Sequence, residues 1–398
     1  MRITFLLTQS LERPSGLGRY WPMARVLARQ GHCVTILALH PDWSHLTTRC
    51  FVREQVRVNY VGQMHIRQTA EGKTYYSPFR LLSVVILSTL RLTWHAFRTP
   101  SDLIIIGKAQ PMNGLAGLLV HQLRRVPLWL DCDDYEAGSN RFAGRWQRWL
   151  VAWFEDHLPP WVEQVSVNTS FMRSYVLSRG VAPDRVRLIP NGVERERFAD
   201  VDYAEVERLR AQWHLPDRRC VIYLGSLSLA SHAVDVLLTA FSKLVRDVPD
   251  AVLLLVGGGE DAAKLQAQAA QLGVQERVCF VGRVPPDRAP LYYHLADVSI
   301  DPVRADEASQ ARSPLKLFES WAAGVPFVTG DVGDRRAWLA DGAAGVLVAP
   351  GDPLALAEGI QRVLQDHELA ERLRAKARLE MERYWWDVLV QEWIGPND

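Results

Sequence analysis

Short apolar runs alternate with longer amphipathic stretches along nearly the whole chain. In the first half the runs fall at 3–7, 34–39, 103–106, 128–130 and 165–168. In the second half they fall at 221–224, 252–256, 278–281, 298–300 and 327–329. Runs this short and this apolar suit strands covered on both faces, and the amphipathic stretches between them suit covering helices. The pattern predicts an α/β protein with parallel sheets. Between Tyr20 and Arg29, helical spacing turns Met23, Val26 and Leu27 inward. Segments 354–364 and 369–377 read as closing helices, and 380–393 as a final one carrying Tyr384, Trp385, Trp386, Leu389, Val390 and Trp393. Ile189-Pro190-Asn191-Gly192-Val193, followed by the charged run 194–197, reads as a domain boundary. Two domains are expected, 1–193 and 194–378, with 379–398 as a closing segment.

The 398 residues suffice for two ordinary domains, and 48% hydrophobic with 23% charged residues describes a globular chain. Net charge is +1, but it is unevenly spread. Residues 1–195 hold 24 Lys and Arg against 14 Asp and Glu, about +10, and the remainder 22 against 31, about −9. A basic first half is suited to an anionic ligand or membrane surface; solubility and steering between domains would explain it too. Cys33, Cys50, Cys132, Cys220 and Cys279 form no Cys-x-x-Cys pair and read as reduced thiols. Together with an N-terminus that enters a strand without a basic region or cleavage site, they imply a cytoplasmic protein.

Two stretches of the first half stand apart. Residues 79–98 are apolar, with Arg80, Arg91 and Arg98 as their charges, and the uncharged run 81–90 is too short to span a bilayer. Phe142, Trp146, Trp149 and Trp153 share one helical face flanked by Arg141, Arg145 and Arg148. Such a stripe fits an interfacial helix at a membrane, and equally a helix facing an aromatic core.

Candidate chemistry gathers at strand ends. Gly16-Leu17-Gly18-Arg19 follows the first strand. Gly225-Ser226, Gly257-Gly258-Gly259 and Gly282-Arg283-Val284 follow later ones, and glycine at the carboxyl edge of a parallel sheet lets backbone approach a nucleotide. In Arg312-Ser313-Pro314-Leu315-Lys316-Leu317-Phe318-Glu319, Ser313 is expected to cap a helix and Pro314 to open it. That helix end suits a diphosphate beside Lys316, and Glu319, one turn on, suits a pair of sugar or ribose hydroxyls. Asp131-Cys132-Asp133-Asp134-Tyr135-Glu136 crowds four carboxylates at another strand end, where mutual repulsion raises pKa. A carboxylate facing a substrate hydroxyl, Mg²⁺ binding and simple loop solvation are the readings open there.

The segment Ser313 to Glu319, with Ala322-Ala323-Gly324-Val325-Pro326 after it, resembles the donor-site signature of glycosyltransferase family 4. The opening 3–34 and Ile189-Pro190-Asn191-Gly192 are similar to other parts of the same family. The resemblance implies a GT-B fold, two Rossmann-like domains facing a central cleft with the final helix, 379–398, crossing back to the first, and a retaining hexosyltransferase using a nucleotide-diphosphate sugar and a glycan or lipid-linked acceptor. It implies donor contacts at Gly16, Gly18, Gly225, Ser226, His232, Gly258, Arg283, Val284, Ser313, Pro314, Leu315, Lys316 and Glu319. Acceptor contacts fall at Arg19, Asp133 and Tyr135, and the catalytic set is Asp133, Asp134, Lys316 and Glu319. Departures from the family pattern are Ala311 where a first Glu is usual, and Ser226 and His232 where a basic pair is usual. No cofactor and no metal is expected, no nucleic-acid partner, and peripheral contact at the inner membrane face. A silent GT-B scaffold, a phosphorylase and a nucleotide-sugar epimerase are the alternatives.

Overall fold

Each apolar run becomes a strand because its side chains are covered on both faces. The computed structural model describes residues 1–12, 16–69, 72–139, 142 and 144–395. It divides into two compact units, Met1–Pro190 with Leu389–Asp398, and Asn191–Val388.

The first unit has an eight-stranded sheet built from β1 (Arg2–Leu7), β2 (Cys33–His40), β3 (Cys50–Arg53), β4 (Val56–Gln63), β7 (Leu103–Gly107), β8 (Leu128–Cys132), β9 (Gln164–Val167) and β10 (Val186–Leu188). A separate hairpin joins β5 (Ile66–Thr69) to β6 (Gly72–Tyr75). Strand order in the sheet is β10-β9-β8-β7-β1-β2-β4-β3, parallel except for β3 against β4. Its helices are α1 (Trp21–Arg29), α2 (Pro78–Arg98), α3 (Pro111–Arg124), α4 (Glu136–Ser139), α5 (Arg145–His157) and α6 (Ser170–Ser178). The edge strand β3 and its neighbour β4 were not expected. Their signal is present in Val56-Arg57-Val58-Asn59-Tyr60, where apolar and polar residues alternate and the apolar ones are buried.

The second unit has a six-stranded parallel sheet of β11 (Arg219–Leu224), β12 (Ala251–Val256), β13 (Val278–Gly282), β14 (Val298–Asp301), β15 (Phe327–Gly330) and β16 (Val346–Val348), in the order β13-β12-β11-β14-β15-β16. Helices α7 (Arg195–Ala199), α8 (Tyr203–Gln212), α9 (Val234–Asp247), α10 (Ala262–Gln271), α11 (Ala289–Tyr293), α12 (Glu307–Gln310), α13 (Leu315–Ala322), α14 (Arg335–Trp338), α15 (Pro353–Gln365) and α16 (His367–Met381) accompany it. One large core lies between the sheet and α9, α10, α15 and α16, centred on Leu237, Phe241, Leu253, Leu255 and Ile360. The final segment breaks into α16 and α17 (Trp386–Ile394), because Val193 and Trp385 bridge as a short parallel pair. From Leu389 onward the chain belongs to the first unit. There Trp393 is 1% exposed and packs near Phe5 and Trp129.

Candidate functional site

In the second unit the glycine-bearing ends of β11, β12 and β13 lie side by side. Gly225 N–H donates to the Val256 carbonyl (2.9 Å) and Gly257 N–H to the Gly282 carbonyl (2.8 Å). Gly257 has φ +142°, and a Cβ there would stand 1.8 Å from the Gly225 carbonyl oxygen, so only glycine fits. A Cβ on Gly225 would meet Lys316 Cε at 3.3 Å, and one on Gly258 would meet the Arg283 side chain at 2.9 Å. The fold therefore brings the side chains of Lys316 and Arg283 against the glycine backbone of Gly225 and Gly258. Ser226 lies on this edge, its carbonyl accepting the Tyr223 hydroxyl (2.8 Å). Val284 is partly buried against the core behind it.

The start of α13 differs from the expected cap. The helix opens at Leu315 with Pro314 as its flanking residue, and Ser313 does not cap it. Ser313 Oγ instead accepts the backbone N–H of Asn191 (3.0 Å), and its carbonyl accepts Asn191 Nδ2 (2.8 Å). The ψ of 107° at Pro314 directs the preceding chain away from the helix axis, toward Asn191. Lys316 is 7% exposed, and its Nζ donates to Asp301 at 2.7 Å and lies over the Tyr223 ring.

Asp301, at the end of β14, sits between two cations. It takes Lys316 on one oxygen and buried Arg335 on the other (2.8 Å). Burial alone would raise its pKa, but Lys316 and Arg335 overcome this and hold it well below the usual carboxylate range. Burial, and then Arg312 and Arg335, pull the Lys316 amine below the ordinary lysine range against the attraction of Asp301. Arg312 reaches His232 Nδ1 at 3.3 Å. Burial, then Lys316 and Arg312, lower the His232 pKa far enough to keep the ring neutral at pH 7. Lys316 and Arg335 on one carboxylate, with the Arg312 charge also acting on it, leave an excess of positive charge beside the glycine backbone. Neither Asp301 nor Arg335 was among the expected site residues. The position of Asp301, a charge at the end of a buried strand, was the available signal.

Glu319 is 4% exposed and lies one turn along α13 from Lys316. Arg197 donates to one of its oxygens (2.9 Å) and the Tyr293 hydroxyl to the other (3.2 Å). A carboxylate has about four lone-pair positions, so these contacts orient Glu319 without saturating it.

In the first unit the carboxylates after β8 divide into separate roles. Asp131 forms a buried two-point pair with Arg19, 2.7 Å for each bond. Arg19 is 1% exposed and donates further to the carbonyls of Ile189 and Pro190. Arg19, expected to contact the acceptor, is thus held inside the unit, where it fixes the turn Gly16–Tyr20 against β8. Gly16 is pressed against the Ser10 carbonyl, where a Cβ would come within 2.4 Å. Gly18 is half-buried in the same turn.

The acidic cluster has a cation at its centre that the reading of the chain missed. Lys108 follows β7 and bonds Asp134 (2.8 Å) and Glu136 (2.6 Å), with Asp133 at 3.7 Å. Burial opposes its charge, but Asp134, Glu136 and Asp133 raise its pKa well above the lysine norm. Asp133 is 6% exposed, and its carbonyl accepts Asn168 Nδ2. Burial, then Asp134, raise its carboxyl from the usual 3.8 to about 7, so near neutrality it can hold or give up a proton. Glu155 on α5 accepts the N–H groups of Glu136 (2.6 Å) and Ala137 (2.9 Å) at the start of α4. Tyr135 packs beside Phe171 and Tyr175.

Two family models cover most of the chain, a glycosyl transferase 4-like domain over residues 15–192 and glycosyl transferases group 1 over residues 205–380. D-inositol 3-phosphate glycosyltransferase of Acidothermus cellulolyticus is 32% identical over 225 residues, 54% of this chain and 48% of that protein. The GDP-mannose-dependent alpha-(1-6)-phosphatidylinositol monomannoside mannosyltransferase of Mycolicibacterium smegmatis is 33% identical over 192 residues, 48% of this chain and 50% of its own. The aligned stretch thus spans about half the length of these relatives. Among solved structures, sucrose-phosphate synthase from Thermosynechococcus elongatus matches with TM-score 0.77 at 21% identity, covering 99% of this chain and 97% of its own. Anabaena HepE with UDP and glucose matches with TM-score 0.74 at 18% identity, covering 99% and 98%.

Proposed function

Since the chain belongs to the group 1 glycosyltransferases, family 4, of GT-B fold, we propose that it is a retaining hexosyltransferase. It moves a sugar from a nucleotide-diphosphate donor to a glycan or lipid-linked acceptor. The observation that carries the reading is Asp301 paired with Lys316 and Arg335, with the Arg312 charge acting on it, beside the close-packed glycine backbone of Gly225 and Gly257–Gly259.

In this reading the donor diphosphate lies along that backbone. Lys316 and Arg312 offset the charge that develops on it as leaving group, in place of the usual basic pair. Ser313, Pro314 and Leu315 contribute the helix start, His232 a neutral ring, Ser226 its place on the edge, Arg283 and Val284 the base contact, and Glu319 the ribose. The bond from the sugar C1 to the diphosphate oxygen breaks, and the acceptor oxygen bonds C1 on the same face. The acceptor proton passes to the departing diphosphate. Asp133 and Asp134, with Tyr135 near them, meet the acceptor or transferred sugar. A relative whose name specifies a phosphatidylinositol monomannoside supports a lipid-linked acceptor, met in this reading at the cytoplasmic membrane face. A catalytically silent GT-B scaffold is the second reading, favoured by Ala311 and by the neutral His232.

A melting-temperature panel of nucleoside diphosphates, followed by nucleotide-sugar turnover in EDTA, tests it. A nucleotide that binds the native state raises its melting temperature. Turnover is expected to survive EDTA, with the anomeric configuration retained by NMR. A rise in melting temperature without turnover in the presence of any acceptor leaves the scaffold reading; neither effect overturns both.

A further inference from the structure

Helix α2 turns apolar side chains outward. Phe79, Leu82, Ile86, Leu90, Trp94 and Phe97 recur at i, i+3, i+7, i+11, i+15 and i+18, and all are exposed, Phe79 at 88% and Leu90 at 60%. The opposite side, with Leu81, Ser88, Leu92 and Ala96, is buried toward the sheet. An ordinary surface helix is polar outside, so this one has a second apolar side left exposed by the described residues. Helix α3 packs beside α2 and extends the surface with exposed Leu115, Leu119 and Leu123.

The formal charges on α2 and α3 have one sign. Arg80, Arg91 and Arg98 lie along one flank of the α2 stripe, and neither α2 nor α3 contains an Asp or Glu. Arg98 stacks on Trp94 at 4.0 Å, and Arg80 lies over Tyr76. A guanidinium beside an exposed aromatic ring suits the boundary between headgroups and acyl chains. A second copy of the chain would bring the same arginines to this face with no acid on α2 or α3 to meet them. No described helix is long and apolar enough to cross a membrane.

We propose that the outer face of α2 and α3 lies in the headgroup region of an anionic bilayer, the apolar stripe entering the acyl boundary and the arginines meeting lipid phosphates. The Trp stripe of α5 is at most an extension of this face. Trp146 and Trp149 are exposed, but Trp153 is occupied by stacking on His157 and by Trp161; Arg141 lies outside the described residues. The crossover helices run back from the carboxyl edge of the sheet, so the start of α2 lies toward the edge that bears Asp133. Membrane docking does not depend on the transfer reaction, and either can fail alone.

Flotation with vesicles of equimolar phosphatidylcholine and phosphatidylglycerol, against phosphatidylcholine alone, tests the proposal. Wild type is expected to float with the anionic vesicles at low salt and to be released as salt screens the arginines. Leu90→Asp should weaken partitioning roughly tenfold or more, the scale of removing one apolar side chain from the boundary, with an unchanged melting temperature. Leu123→Asp on α3 provides an independent second variant. Arg80→Glu with Arg98→Glu should abolish the preference for anionic lipid. Wild type that stays with the soluble fraction overturns the proposal, as do well-folded Leu90→Asp and Leu123→Asp variants that float like wild type. A wild-type dimer that Leu90→Asp dissociates, without vesicle binding, assigns the face to a second copy and equally overturns it.

Discussion

At the scale of single residues, the consequential groups are charges whose partners lie far away in sequence. Lys316 is held by Asp301, fifteen positions earlier, while Asp301 also holds Arg335. Lys316→Ala therefore leaves Asp301 with one cation, and the fold should survive. If Lys316 contacts the diphosphate, losing that charge-assisted contact costs about 1.5–3 kcal/mol, a fall of roughly 10- to 150-fold in kcat/KM. Steady-state rates with the nucleotide sugar, beside circular dichroism, check this; unchanged rates would remove Lys316 from the donor site. Asp133 makes a different prediction. Its carboxyl is raised from 3.8 to about 7 by burial and by Asp134. A folded-state pKa above the unfolded value means that the native state keeps a proton which the unfolded chain releases. The stabilisation is complete below about pH 4 and is lost as pH rises through 7, by at most about 1.4 kcal/mol per pH unit. Asp133→Asn should remove that slope, so urea unfolding at pH 5 and pH 8 should show wild type losing stability relative to the variant. A parallel response in both proteins would count against the shifted carboxyl.

At the scale of elements, the central strands and most helices were legible because buried parallel strands are continuous apolar runs. Strand β3 and the hairpin β5–β6 lie off that pattern, at or beyond the sheet edge, β4 beside them alternates instead of running apolar, and the short strands β10 and β16 carry too few residues to stand out. The Ser313 cap illustrates a different limit. Serine before proline is a sound local signal, but the hydroxyl is taken by Asn191, more than a hundred residues away in sequence. Local propensity gives way where a distant partner competes for the same group. Helix α2 was visible as an apolar stretch with three arginines. Which of its sides would be covered depended on the sheet and α3.

At the scale of the whole molecule, the end of the chain is part of the first unit. Trp393 is buried near Phe5 and Trp129, and Arg187 donates to the carbonyls of Glu392 (3.1 Å) and Trp393. Trp393→Ala should destabilise the protein by about 3–5 kcal/mol, the range for a large aromatic deleted from a core. Denaturant unfolding checks this, and a change within about 0.5 kcal/mol would show that the chain end is dispensable to the fold. By itself the sequence determined the fold class, the glycine-bearing strand ends and the uneven charge, because hydrophobic period, glycine and formal charge are local properties. Only the tertiary structure decided that Arg19 is buried beneath the turn, that Lys108 sits amid the carboxylates, that Asp301 joins Lys316 to Arg335, and that the outer face of α2 is apolar. Burial and ion pairing are set by neighbours that the chain brings together only when it folds.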